Sequence, residues 1–505
     1  MDHPPPDLPD STRTAASRLV PGSAREHGDL SLWAEHAANG SRLLAVASER
    51  AEALAPFTGE PSRHGATLVL RCPMGAANLA ALRHVLPNLT PVPLGTRASA
   101  GFGDRLGLAT PGHVDAMRAS RAEGRIFAVF AQQSMRENAR TGRTPQEVLD
   151  DATAGAFAAG WRHPLGADAD HLKTEADIDL CVEAGYSMFT IDPGDHVVDE
   201  ADTLRGGALQ DAFERRPPWP ALDSSPDDLV ARLGDHELEI AERPLRFTEE
   251  ELARAAVKYG AAVAHVARLA RHLRAQAGPE RAELEISVDE TATPTSLAEH
   301  AYLALELRRL GVDWVSLAPR FVGAFEKGVD FIGDLSRLAA DLAGHGSVAA
   351  ALGDYKLSLH SGSDKFAVYP IAAAALGARV HLKTAGTSYL EALRVAGAVE
   401  PELLHAVVRL GLERFEDDVK SYHVSGSPDG VPDPDTLPGS ALLALLEQRD
   451  ARQVLHVTFG SALARHGERL RTLLREHEGA YRDALRRHFE RHLAPFVTAP
   501  GGGTP

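Results

Sequence analysis

The chain has 505 residues, 44% of them hydrophobic and 24% charged, with a formal net charge of -17 at neutral pH. This length allows one large domain with smaller additions, the apolar fraction suffices for a sizeable core, and the acidic balance argues against nucleic acid or an anionic membrane as a partner. Two cysteines, Cys72 and Cys181, cannot build a disulfide framework, and no window reaches the roughly 18 uncharged apolar residues of a membrane span. A cytoplasmic protein with reduced, buried thiols is expected. The oligomeric state stays open, a homo-oligomer included.

The chain begins with "MDHPPPDLPDSTRTAASRLVPG", which is polar, Pro-rich and without the apolar centre of a signal peptide. Residues 1–30 therefore read as a disordered leader. Two short β-like runs follow, "RLLAVAS" and "ATLVLRC", with Ala/Leu-rich helical patterns, so residues 31–96 read as a small α/β domain. "GFGDRLGLATPGH", Gly101 to His113, is Gly-rich and follows no clear strand, which suggests a loop.

From about Arg125 an apolar run that ends in polar residues recurs, each followed by a helix-like segment. Eight such runs stand out: "RIFAVFAQQS", "PLGADADHLK", "YSMFTIDPGD", "ELEISVDET", "DWVSLAPRF", "YKLSLHSGSD", "RVHLKTAGTS" and "QVLHVTFGS". Between them, Leu252, Ala256, Tyr259, Val263, Val266 and Leu273 fall on one helical face. Repeated β-then-α units imply a parallel sheet, and eight of them a closed (β/α)8 TIM-like barrel over residues 97–494. "ERRPPWPALDSSPDD" lies in a gap too long for one crossover helix and reads as an insertion on the barrel face. The final residues, 495–505, read as a disordered tail.

Active sites of such barrels sit at the C-terminal strand ends, and alternate residues of each strand face the axis. In "ELEISVDET" this turns Glu285, Ser287 and Asp289 inward. An inward carboxylate is costly unless it is paired, protonated or bound to a metal, and an ion pair with an interior Lys or Arg is the plain alternative. In "GADADHLK", Asp168 and Asp170 share a face and His171 follows, which suits a base beside a metal ligand or, more simply, an Asp orienting a His. In "YKLSLHSGSDKF", Leu357 and Leu359 alternate with Ser358 and His360, so His360 stands at a strand tip. Convergence of His171, His360 and His381 would favour a divalent transition metal, with His360 as a ligand. His456 alone reads equally well as a satisfied interior histidine.

Ser361 to Lys365, with Asp364 among them, form a loop whose polar groups suit a polyhydroxylated anion. Glu326, in "APRFVGAFEKGVDF", could close a metal site or be a solvated charge. No dinucleotide fingerprint, P-loop or nucleophile elbow is present.

Long stretches carry a resemblance: "RASAGFGDRLGLATPGHV", "FAQQSMRENARTGRTPQEVLDDAT", "GADADHLK", "FTIDPGDHV", "SVDETATPTS", "LAPRFVGAFEKGVDFIGDL", "YKLSLHSGSDKFAVYP" and "HLKTAGTSYLEALR". From about Arg97 to about His492 the chain resembles the bacterial tagaturonate/fructuronate epimerases. The resemblance implies a cytoplasmic, metal-dependent isomerase that interconverts D-tagaturonate and D-fructuronate in hexuronate catabolism, with tagatose–fructose 4-epimerisation as a side activity. It implies Asp170 as proton acceptor, Glu285 as proton donor, and His171, Glu326 and His360 as metal ligands. Glu290 competes with Glu285, and His381 with Glu326.

Gln133, Ser134, Thr190 and Asp192, at strand ends, are expected to touch substrate. A sugar-acid substrate needs a cation, for which Lys365, Lys383, Arg320 and Arg97 are the candidates. Mixed nitrogen and oxygen ligands suit Mn, Ni, Co or Zn. A metal-dependent sugar aldolase or aldose–ketose isomerase would share these features, and a non-enzymatic sugar-acid binding protein is a more distant alternative.

Overall fold

The computed structural model describes residues 19–37, 40–234, 237–240 and 243–498. The expected disorder of residues 1–18 and 499–505 lies outside the described residues. Order begins earlier than residue 31. β1 (Arg25–His27) pairs with β2 (Leu30–His36), and Leu19 bridges to Glu35. β3 (Arg42–Ser48), β4 (Glu60–His64) and β5 (Thr67–Pro73) complete an antiparallel sheet in the order β1-β2-β3-β5-β4. The two β-like runs of this region are β3 and β5. The helix Ala76–Val85 follows and joins the sheet to the barrel, where Arg83 pairs with Asp150 at 2.8 Å.

Eight parallel strands close into a barrel. They are β6 (Ser99–Gly101), β7 (Phe127–Ser134), β8 (Gly166–Leu172), β9 (Met188–Ile191), β12 (Glu283–Val288), β13 (Ser316–Pro319), β14 (Lys356–Leu359) and β15 (Val380–Lys383). The membership differs at one strand from the sequence expectation. "QVLHVTFGS" is helical, in the helices Arg449–Val457 and Phe459–Glu476. A short apolar run does not distinguish a buried strand from a buried helix, and Gln453 through Val457 are indeed buried, but as helix. The remaining strand is the three small residues Ser99–Gly101, too brief for a period-2 pattern to show.

Between β9 and β12 the insertion forms the helices Gly206–Arg215 and Pro226–Leu233 and a ribbon of β10 (Glu237–Ile240) and β11 (Arg243–Arg246). These elements lie against the outer helices. Arg232 pairs with Glu306 at 2.5 Å, and Arg309 donates to the Leu222 carbonyl. The helix Glu249–Ala277 buries Leu252, Ala256, Tyr259, Val263, Val266 and Leu273, the apolar face read from the sequence. A capping box of Thr248 and Glu251 starts it, each satisfying an orphan backbone N–H of the other's residue.

The last helix, Glu478–Thr498, continues through Pro495 into the expected tail and packs on the helix Thr110–Ala119, where Arg482 meets Asp115 at 2.8 Å. Both cysteines are buried and free, and burial pushes the Cys72 thiol up to about 11. Among the described residues no helix is long and apolar enough to cross a membrane.

Inside the barrel, polarity changes along the axis. At the N-terminal end Leu94, Phe127, Val129 and Met188 form an apolar plug. Above it come Ser99, Lys356 and His381, where Lys356 donates to Ser99 at 3.0 Å and Ser99 meets His381 at 2.8 Å. Towards the C-terminal end the interior is lined by carboxylates, Lys383 and imidazoles.

Candidate active site

Strand parity places the central charges. β15 pairs with β6 and β14, and its alternate residues His381 and Lys383 point inward. The Lys383 ammonium, 3% exposed, lies 2.9 Å from Asp168, 2.7 Å from Asp170 and 2.8 Å from Glu285, and donates to Thr190 at 2.7 Å. Thr190 in turn donates to Asp168 at 2.9 Å. One cation thus binds three carboxylates from two strands into a single cluster.

Burial alone would raise the carboxyls and depress the ammonium, but mutual attraction outweighs it. Asp170 and Glu285 are held well below the usual carboxylate range, and Lys383 well above its ordinary value. All three are charged at neutral pH.

His171 and His360 stand beside this cluster, their rings edge to face at 5.1 Å between centroids. His171 has φ of +53°, a left-handed conformation that a residue other than glycine adopts at a cost, and β8 slips in register against β9 at the same point. Its Nδ1 faces Asp192 at 3.3 Å, which leaves Nε2 turned towards Asp170, 3.8 Å away. A carboxylate on one imidazole nitrogen orients the other, as at many metal sites. Asp192 is therefore a support for His171, and it accepts the Gly194 N–H with its other oxygen.

His360 lies between Glu285 (2.7 Å) and Asp289 (3.1 Å). Against the pull of burial, Asp289 and then Glu285 raise its imidazole to about 10. A metal at these rings would have to displace a proton, the usual coupling at such sites.

Donor atoms of Asp170, His171 and His360 lie within 4.8 Å of one another, close enough to share one ion. Glu285 Oε2 is buried in the same cluster with no hydrogen-bond partner among the described residues. Two imidazoles, a carboxylate and an orphaned carboxylate oxygen fit a divalent ion of intermediate softness.

Several expected residues are elsewhere. Glu326 does not reach the imidazoles. Its carboxylate accepts from the Ser425 N–H and hydroxyl and from Gln453 at 2.8 Å, because the loop after β13 folds onto the C-terminal helices. His381, the competing ligand, sits deeper, on Ser99. Glu290 is on the rim, 3.5 Å from Arg136.

Asp364 and Lys365 face away from the cluster. Asp364 binds His488 at 2.8 Å and Arg452 at 3.0 Å, and its backbone N–H donates to His492. Lys365 is buried and donates to the carbonyls of Glu326, Val329 and Ser363. Their loop has positive φ at Ser361 (+49°) and Asp364 (+61°). These bonds fasten the turn that carries His360 to the last helix. Asp364, His488 and His492 could also share an ion by distance, but Arg452 and Thr387 already donate to that carboxylate and the Asp364 N–H occupies His492 Nε2.

On β7, Ser134 caps the helix Met135–Thr141 with its hydroxyl, and Gln133 donates to Thr141 on that helix. The inward residue is Gln132, which donates to Asp170 at 3.0 Å. A register shift between Val129 and Ala131 changes the inward parity from Phe127 and Val129 to Gln132. Gly101 opposite makes room, since a Cβ there would lie 2.8 Å from Gln132 Cγ. Nothing in the sequence signals that bulge. Thr190, expected at the site as a strand-end residue, is in the cluster, and Lys383, expected to meet a substrate carboxylate, is there bound to three carboxylates of the protein instead.

Above His360 opens a cavity of about 330 Å³ lined by Asp289, Glu290, Arg320, Lys327, Arg136 and Tyr422 among others.

Residues 22–496 match the model of the tagaturonate epimerase family. A tagaturonate/fructuronate epimerase of Thermotoga maritima is 41% identical over 473 residues, 93% of this chain and 95% of that protein. Among solved structures, a glycerol complex of the fructuronate-tagaturonate epimerase UxaE from Cohnella laeviribosi superposes with a TM-score of 0.88 at 32% identity, covering 97% of this chain and 98% of that one. The native form of the same enzyme gives 0.88 at 32% identity over 96% and 99%. A closed eight-stranded barrel with a polar C-terminal mouth, matched over nearly its whole length, places this chain in the tagaturonate epimerase family, a family of isomerases.

Proposed function

We propose that this protein interconverts D-tagaturonate and D-fructuronate in the cytoplasm, with a divalent Mn, Ni, Co or Zn ion held by His171 and His360 beside Asp170. The observation that carries the mechanism is the Lys383 bridge, which keeps Asp170 and Glu285 both ionised within one shell, 2.7 and 2.8 Å from the same ammonium. When bound, the ion would supply Lewis-acid polarisation of the substrate's keto oxygen.

The inverted carbon is the fourth from the keto end and the carbonyl is the second, so simple enolisation cannot acidify its C–H bond. Cleavage between the third and fourth carbons can invert it. Asp170 takes the proton of the fourth-carbon hydroxyl, the carbon–carbon bond opens with its electron pair passing to the keto fragment, and an aldehyde remains. The aldehyde rotates and the bond re-forms on its other face. The proton taken by Asp170 passes through the Lys383 ammonium, which contacts both carboxylates, to Glu285, and Glu285 delivers it to the new alkoxide oxygen. Lys383 holds the two carboxyls at fixed separation, and Gln132 fixes Asp170 through its free oxygen. Neutral tagatose and fructose fit the same chemistry as slower substrates.

The test is metal-reconstituted protein with tagaturonate in deuterated water, followed by NMR. Fructuronate should accumulate without deuterium at the fourth carbon. Absence of the epimer would overturn the reading, and deuterium at that carbon would replace bond cleavage by direct proton abstraction.

A further inference from the structure

A hexuronate brings a carboxylate that a cation must meet, and the structure removes most candidates. Lys383 is committed to three carboxylates, Lys365 to three carbonyls, and Arg97 lies over Phe127 beside the apolar plug. The wall of the cavity above His360 offers three others, Arg136, Arg320 and Lys327, facing Asp289, Glu290 and Glu326. Each of those acids is already engaged. Asp289 is bound to His360, Glu290 to Arg136, and Glu326 to Ser425 and Gln453. Arg136 also lies over the Tyr422 ring at 5.0 Å. Arg320 and Lys327 are half-buried, and neither side chain makes a hydrogen bond or ion pair among the described residues. Glu137, itself paired with Arg105 at 2.6 Å, feels the Lys327 charge without contacting it, so these half-desolvated cations have no direct counter-ion among the described residues and favour an anion entering the cavity.

We propose that Arg320 and Lys327 form the subsite for the substrate's carboxylate and set the preference for hexuronates over neutral ketohexoses. The proposal rests on the reading of the cluster below as the reacting centre. With the keto end at His171 and His360, the carboxylate lies beyond the inverted carbon and points out into this cavity. Arg320, from the end of β13, offers a planar two-point fork, and Lys327, from the loop after it, a mobile point charge.

The experiment measures calorimetric binding and steady-state turnover of tagaturonate and of neutral tagatose by metal-loaded wild type, Arg320→Met and Lys327→Met, with metal content determined for each. Wild type should bind the acid more tightly than the neutral sugar. Each variant should lose about 10- to 100-fold in affinity and KM for the acid, the scale of a charge-assisted contact, with tagatose binding and metal content changed less than about twofold. Wild-type binding of the acid should also weaken with added salt while tagatose binding does not, a readout that needs no variant. Equal losses on both ligands, or a wild type that does not prefer the acid, would overturn the subsite. Preferential binding of the acid through these two residues without any epimerisation would support the subsite and overturn the proposed reaction instead.

Discussion

Lys383→Met tests whether one buried ammonium holds the site together. The side chain is 3% exposed and lies within 2.7–2.9 Å of three carboxylates. Methionine fills much of the volume, so the loss is electrostatic. Breaking a buried ion pair costs about 3–5 kcal/mol, because the abandoned charge stays desolvated. Here Asp168, Asp170 and Glu285 would be left facing one another, so at least one must take up a proton.

The sign of the pH effect follows. In wild type the depressed Asp170 and Glu285 carboxyls stabilise the fold above their unfolded pKa of about 4, and that stability is lost only in acid. In the variant a raised carboxyl holds a proton that the unfolded chain has lost, so stability falls as pH rises. The gap between the two proteins should widen by about 1.4 kcal/mol per pH unit for each such proton. Urea unfolding of the metal-free proteins at acid and alkaline pH measures it. Adding Glu285→Gln to Lys383→Met should recover part of the loss, and turnover by the single variant should fall at least about a hundredfold. Equal midpoints for wild type and variant, or a gap that does not change with pH, would refute the argument.

Chelation should abolish turnover, and Mn, Ni, Co or Zn should restore it. His360→Ala should lower metal content by elemental analysis, whereas Asp170→Asn should keep the metal and lose activity; loss of metal from Asp170→Asn would make that residue a ligand and leave Glu285 as the base. Gly101→Ala drives a Cβ to 2.8 Å from Gln132 Cγ, so kcat should drop about tenfold while overpacking costs about 1–3 kcal/mol, read by kinetics and urea unfolding together. His113 is buried between Phe102 and Phe489 and bound to Ser388, and burial pulls its imidazole down to about 4. The unfolded ring takes its proton near 6.5, so this contribution is complete above that pH and declines towards 4 by about 1.4 kcal/mol per unit. His113→Asn, less stable at neutral pH, should lose correspondingly less as the solution is acidified.

The sequence by itself determined what depends on local pattern. Seven barrel strands were legible because each is a short apolar run that ends in polar residues and is followed by a helix-like segment. Parity turned Glu285 and Asp289 inward, set Asp168 with Asp170 on one face and put His360 at a strand tip. The long helix before β12 showed its buried face through a 3.6-residue period.

Other features only the tertiary structure decided, since they depend on which groups meet across the fold. Ser99–Gly101 is a strand because β15 and β7 flank it, not because three small residues prefer one. Gln132 replaces Gln133 at the axis because a bulge slips β7 by one residue, and a one-residue slip exchanges the two faces. Glu326, Asp364 and Lys365 carry the right chemistry for a site, yet contacts with helices more than a hundred residues later in sequence, or with a neighbouring loop, take up their hydrogen bonds. The charge on a side chain is written in the sequence, but whether that charge is already paired is settled only when distant segments pack, and at this barrel mouth that leaves the Arg320 and Lys327 side chains without a direct hydrogen-bond or ion-pair partner among the described residues.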